Sequence, residues 1–104
     1  MMLLTKADRA KLPPLYSQSE RGGAAIAPVK LFTPDSSWTW YVTEFDGDDL
    51  AFGLVVGIEA ELGYFRISEL EAVRGPLGLP VERDLYWTPK PLEQIAPALY
   101  AEEF

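Results

Sequence analysis

Between positions 29 and 67 the sequence alternates runs of β-branched and aromatic residues with clusters of turn formers, and this rhythm limits the fold more than any other feature. Residues 29–33 read as a strand, ended by Pro34, Asp35, Ser36 and Ser37. Residues 38–45 form a second strand rich in aromatics, and Asp46-Gly47-Asp48-Asp49 supplies a turn with a glycine free to take positive φ. Residues 50–58 form a third strand, and residues 59–63 turn into a fourth over 64–67. Connections this short join neighbouring antiparallel strands, so the chain should meander.

The flanks read as helical. Thr5 with Asp8 marks an N-cap and an acidic first turn, opening a helix over 6–11 that Pro13-Pro14 stops. Residues 17–25 read as a loop. Ser68-Glu69-Leu70-Glu71 has capping-box spacing and starts a helix that ends at Gly75-Pro76. Residues 77–81 form a Pro/Gly loop and 82–87 a fifth, edge strand. Leu92, Ile95 and Leu99 sit at helical spacing in a terminal helix interrupted by Pro97. The expected fold is α+β, one domain over 1–104: a four- to five-stranded antiparallel meander with short helices at the N-terminus, after strand four and at the C-terminus.

Alternation along strand three places Leu50, Phe52, Leu54, Val56 and Ile58 on one face and Ala51, Gly53, Val55 and Gly57 on the other. The large row belongs against helices. The small row calls for a close neighbour: another chain segment, a partner, or the rings of strand two. In strand two, Trp38, Trp40 and Val42 share one face and Thr39, Tyr41, Thr43 and Phe45 the other.

With 48% apolar residues, 104 positions suffice for one core without staples. The absence of both Cys and His removes disulfides, the usual zinc ligands, a thiol nucleophile and the Ser–His–Asp triad. Carboxylate, Lys, Tyr and Ser–Lys chemistry remain, and no cofactor or metal is called for. Net charge is −7, and the nine basic residues form no stripe, which argues against direct nucleic-acid binding and points toward a basic or nucleic-acid-binding protein partner. The longest nearly apolar run, 50–58, is far short of the ~20 residues of a membrane helix. The segment Met1-Met2-Leu3-Leu4-Thr5-Lys6 lacks a signal-peptide pattern, so a cytoplasmic location is expected.

The stretch 31–65 carries acids and no base. The meander divides them: Asp46, Asp48 and Asp49 at one end of the sheet, Asp35, Glu59 and Glu61 at the other. Three readings follow. Asp35, Trp38, Glu59 and Glu61 make a non-catalytic surface for a protein partner. Alternatively, Asp35 with Glu59 or Glu61 serves a small carboxylate-dependent enzyme acting on a sugar or nucleotide, at a separation of ~10 Å. Thirdly, the acids imitate nucleic-acid phosphates and inhibit a DNA-binding protein. A homodimer through the glycine face of strand three or through the edge strand is a further expectation.

Three strings stand out together. They are residues 3–6 through Leu12-Pro13-Pro14-Leu15-Tyr16; Val29-Lys30-Leu31-Phe32-Thr33-Pro34-Asp35 through Tyr41; and Phe52-Gly53-Leu54-Val55-Val56-Gly57 through Phe65, continuing from Gly78-Leu79-Pro80 to Tyr86. On these, the chain resembles a family of small bacterial proteins known as a domain of unknown function. Members tend to be carried on plasmids, integrative elements and phages. The resemblance implies a bacterial accessory protein of a mobile genetic element and supplies no reaction, cofactor or catalytic residue.

Overall fold

The computed structural model describes residues 3–101, so Met1 and Met2 of the amino-terminal segment lie outside the described residues. The order is α1 (Lys6–Lys11), a 3-10 helix (Ser19–Ala24), β1 (Ile26–Ala27), β2 (Val29–Phe32), β3 (Thr39–Phe45), β4 (Leu50–Val56), β5 (Ala60–Arg66), α2 (Ile67–Ala72), β6 (Glu82–Arg83), β7 (Lys90–Pro91), α3 (Leu92–Ile95) and a 3-10 turn (Pro97–Leu99). Five strands pair antiparallel in the order β5-β4-β3-β2-β6, and β1 pairs with β7 in a two-stranded ribbon. The α+β meander and its three groups of short helices are as the sequence predicts. The ribbon is additional.

Both faces of the sheet are covered. On one, Val29 and Leu31 of β2, Trp40 and Val42 of β3 and Ala51 of β4 pack under Leu3, Leu4 and Leu12 and under Ile67 and Leu70 of α2. On the other, Leu54 of β4 packs with Ala25, Ala27 and Leu92, flanked by Tyr41, Val56, Trp87 and Ile95. The large row of β4 therefore does meet a helix, α3. The small row takes a ring neighbour as expected, from the residue just before β3, because a Cβ at Gly57 would come within 2.5 Å of the Trp38 ring.

Phe45 is a correction. It joins Trp40 and Val42 in the first core, although simple alternation put it on the opposite face. The register shifts between Val42 and Glu44, so that Val42 pairs with Gly53 and Glu44 with Phe52. Thr43 is the extra residue of a bulge, its hydroxyl donating to the Phe52 carbonyl at 3.0 Å. One inserted residue reverses every later side chain of the strand.

The β4–β5 turn also falls earlier than expected. Gly57 N–H donates to the Glu59 carbonyl at 3.0 Å, and β5 begins at Ala60 rather than Tyr64. Ala60, Glu61 and Gly63 are poor strand formers locally, but they pair with Val56, Val55 and Gly53 of β4, and that pairing overrides their local preference. The predicted edge strand is confined to two residues, β6, tied to α1 by Arg83 Nη1 donating to Asp8 Oδ2 at 3.0 Å. Asp8 also completes a capping box with Thr5.

The box predicted at Ser68 does not form. α2 begins two residues earlier, and Arg66 at its N-cap, in place of Ser68, makes no side-chain bond. Asp49, from the β3–β4 turn, does the work: its carbonyl accepts from Ile67 N–H at 2.9 Å, and its carboxylate accepts from Ser68 N–H at 2.7 Å and Ser68 Oγ–H at 2.6 Å. Glu71 turns away to accept from Leu3 N–H at 2.9 Å. The Ser68 hydroxyl first, then its N–H and the charge of Arg66, hold the Asp49 carboxyl below the ordinary aspartate value. A depressed folded pKa contributes stability that is complete above the unfolded value and lost as pH falls through the folded one. Melting temperature should therefore fall more steeply below the ordinary aspartate pKa in the wild type than in Asp49→Asn, which thermal melts across an acid pH series will show.

Candidate functional site

The β2–β3 and β4–β5 turns lie at one end of the sheet, because Thr39 pairs with Val56 and Val56 with Ala60. Here Trp38, Val55, Ile58, Glu59 and Glu61 line an open hollow of about 310 Å³. Ile58 is 96% exposed and Trp38 is 43% exposed. The Trp38 ring is held in place: it stacks on Trp40 with centroids 6.2 Å apart and rests on the bare Cα of Gly57. Glu59 and Glu61 are both exposed beside it. The arrangement is an aromatic and an aliphatic side chain facing solvent with two carboxylates on the rim. Apolar groups exposed side by side are a feature consistent with an interaction surface.

Of the four residues singled out from the sequence, Trp38, Glu59 and Glu61 share this hollow. Asp35 does not line it. Its carboxylate accepts from Leu77 N–H at 2.7 Å and Leu79 N–H at 3.3 Å, and it presses against Gly75, where a Cβ would collide with it. Asp35 thus fastens the loop after α2, and the sequence offered no sign of that distant partner. Ile58 is the residue the sequence reading missed, having placed it at the end of the buried row of strand three. Its position between Gly57 and Glu59, a flexible residue and a charge, was the available signal for a turn tip.

The other acidic group, at the far end, is turned inward to the backbone. Asp46 accepts from the N–H groups of Asp48, Asp49 and Leu50, at 2.8, 2.8 and 3.1 Å, and these bonds, Asp48 foremost, hold its carboxyl below the ordinary aspartate value. With Asp49 capping α2, both side chains are structural.

A second hollow, of about 160 Å³, lies on the opposite face among Tyr16, Glu44, Phe52, Leu62, Tyr64 and Tyr100. At its edge Glu44 is buried and accepts from Tyr16 N–H and Gln18 N–H, each at 2.8 Å. Gln18 in turn bridges Ile26 and Thr43 through its amide. The Tyr64 hydroxyl is shifted up, first by its hydrogen bond with Tyr16, and burial followed by the nearby Glu93 charge raises Tyr100. Among the described residues, no group of three or more Asp or Glu is placed to hold a metal ion. No described helix is long and apolar enough to cross a membrane.

A family model described as a protein of unknown function, DUF2958, matches residues 3–101. The chain belongs to the DUF2958 family. The match runs the whole described length, so the sheet, both covering layers and the Trp38 hollow all fall inside the DUF2958 region. No curated protein and no solved structure matches the chain.

Proposed function

We propose that this DUF2958 protein is a non-catalytic binding module that docks another protein on the sheet end formed by Trp38, Ile58, Glu59 and Glu61. The reading rests on one observation: an almost fully exposed Ile58 stands beside a Trp38 ring fixed in place by its own fold. A fixed aromatic loses little rotamer freedom on binding, which is the property of interface anchors. The two carboxylates and a net charge of −7 suit a partner with an apolar pocket rimmed by Lys or Arg. Asp35 contributes by holding the loop after α2. The bacterial, cytoplasmic, mobile-element setting is part of the proposal and is supported by the sequence alone.

The test is the affinity of a purified partner for the wild type and for two variants, Trp38→Ala and the double charge reversal Glu59→Lys with Glu61→Lys. Trp38→Ala should weaken binding about 30-fold, the effect of removing an anchor worth about 2 kcal/mol. The charge reversal should chiefly slow association and flatten its salt dependence. Unchanged affinity in both, with circular dichroism like the wild type, rules the surface out.

A further inference from the structure

The five-stranded sheet has two edges of different character. One is β6, two residues long and followed by Asp84, whose N–H donates to the Lys30 carbonyl. The other is β5, seven residues without proline, lysine or bulge. Natural sheets shorten, charge or bend such an edge to keep other strands off it. β5 lacks these devices over its middle.

The hydrogen-bond phase of β5 shows what its edge offers. Gly57 bonds to Glu59 and Ile67 to Asp49 at the two ends of the β4–β5 ladder, each on the ladder's own pairing. With period two, Glu61, Gly63 and Phe65 aim their backbone groups at β4. Ala60, Leu62, Tyr64 and Arg66 therefore aim theirs away from the sheet. Their side chains share a face, on which Leu62 is 45% and Tyr64 51% exposed.

We infer that β5 pairs antiparallel with β5 of a second copy of the chain, about a two-fold axis through Gly63. Gly63 is the midpoint of the strand, so this register pairs all seven residues of each copy. It sets Leu62 opposite Tyr64 of the second copy and Tyr64 opposite its Leu62, in pairs whose backbones exchange both hydrogen bonds. It sets Ala60 opposite Arg66, which places each Arg66 next to the Glu59 turn of the other strand, while Glu61 projects from the opposite face. Glu61 and its counterpart stay four positions apart, about 13 Å. Moving the axis to Leu62 would halve that distance and leave Arg66 unmatched.

Gly63 supports the same axis. Its fold does not need glycine: its φ is not left-handed, and a Cβ there would meet nothing within 4 Å. A strand glycine leaves room for another backbone to approach, and at the axis the two Gly63 residues form a non-hydrogen-bonded pair with opposed Cα atoms about 4.5 Å apart. The interface is one strand wide, so the dimer is weak and reversible. The pairing shares Glu61 with the rim of the Trp38 hollow, but its test reads the mass and crosslinking of the chain alone, so its failure is distinguishable from failure of the docking reading.

Gly63→Cys tests the inference, since the chain has no other cysteine. The axis would put the two introduced thiols within the Cα separation of a disulfide, roughly 4.4–6.8 Å. Light scattering of the wild type from about 5 to about 500 µM should show the mass rising toward twice that of the monomer. Gly63→Cys, verified as folded by circular dichroism, should oxidise to a covalent dimer at least about tenfold faster than a Thr88→Cys control at equal concentration. A wild type that stays monomeric throughout overturns the inference. So does a dimer whose Gly63→Cys form crosslinks no faster than the control.

Discussion

Replacing Glu44 by alanine should lower the free energy of unfolding by about 2 kcal/mol, since the buried N–H of Gln18 and the half-buried N–H of Tyr16 lose their acceptor and a buried loss costs about 1–3 kcal/mol. The side chain is 4% exposed, and its two oxygens are divided between Tyr16 N–H and Gln18 N–H. Those bonds also hold Tyr16 at φ 71°, a left-handed conformation that a non-glycine residue adopts only under constraint. Without the carboxylate the segment between α1 and β1 loses two of its ties to the bulged end of β3, keeping the Pro13 carbonyl that accepts from Phe45 N–H and the Gln18 amide that bridges Ile26 and Thr43. Glu44→Gln keeps one acceptor oxygen and should show about half the effect. Urea unfolding measures the loss, and hydrogen exchange should accelerate first at the amides of residues 16 and 18. A loss below about 1 kcal/mol for Glu44→Ala would mean that these bonds add little.

Two glycines paired across one ladder should respond to alanine with opposite signs. Gly53 and Gly63 face each other between β4 and β5. A Cβ at Gly53 would overlap the Tyr41 carbonyl oxygen and stand 3.1 Å from the Val42 Cα, and neither backbone atom can swing aside as a flexible side chain would. Gly53→Ala must therefore part β3 from β4 next to the bulge, the centre of the sheet. The expected loss is about 3 kcal/mol, at the upper end for overpacking. For a chain of this size that lowers the melting temperature by roughly 12–24 °C. Gly63→Ala meets open space and should raise stability by about 0.5 kcal/mol, because the unfolded chain loses freedom. Thermal melts of the pair decide the matter, and equal losses at both sites would contradict the packing described.

The difference between these glycines also shows where the sequence was readable. Both fall in strand-like runs, but only coordinates reveal that one lies under a neighbouring carbonyl and the other faces nothing. The meander from Val29 to Arg66 was legible because β-branched and aromatic runs alternate with local turn residues, and the Thr5–Asp8 cap because its partners are three residues apart. Contacts between distant positions were not. Asp49 caps α2 from 19 residues away, and Asp35 holds amides 42 and 44 residues on, so each carboxylate reads locally as a solvated turn acid. The bulge at Thr43 leaves no local mark either, yet it turns Phe45 into the first core. Within the hollow at the sheet end, Trp38, Glu59 and Glu61 followed from the order of the strands. Ile58 did not, because a turn that closes two residues early converts a core position into a tip.

The docking claim is tested most directly in the native host by a photo-crosslinking amino acid at position 58, with position 16, on another exposed aromatic surface, as the comparison. The account predicts a discrete adduct to one other protein from position 58, lost when Glu59 and Glu61 are reversed to lysine, and no such adduct from position 16. Adducts of equal yield from both positions, or one from position 16 alone, would contradict it.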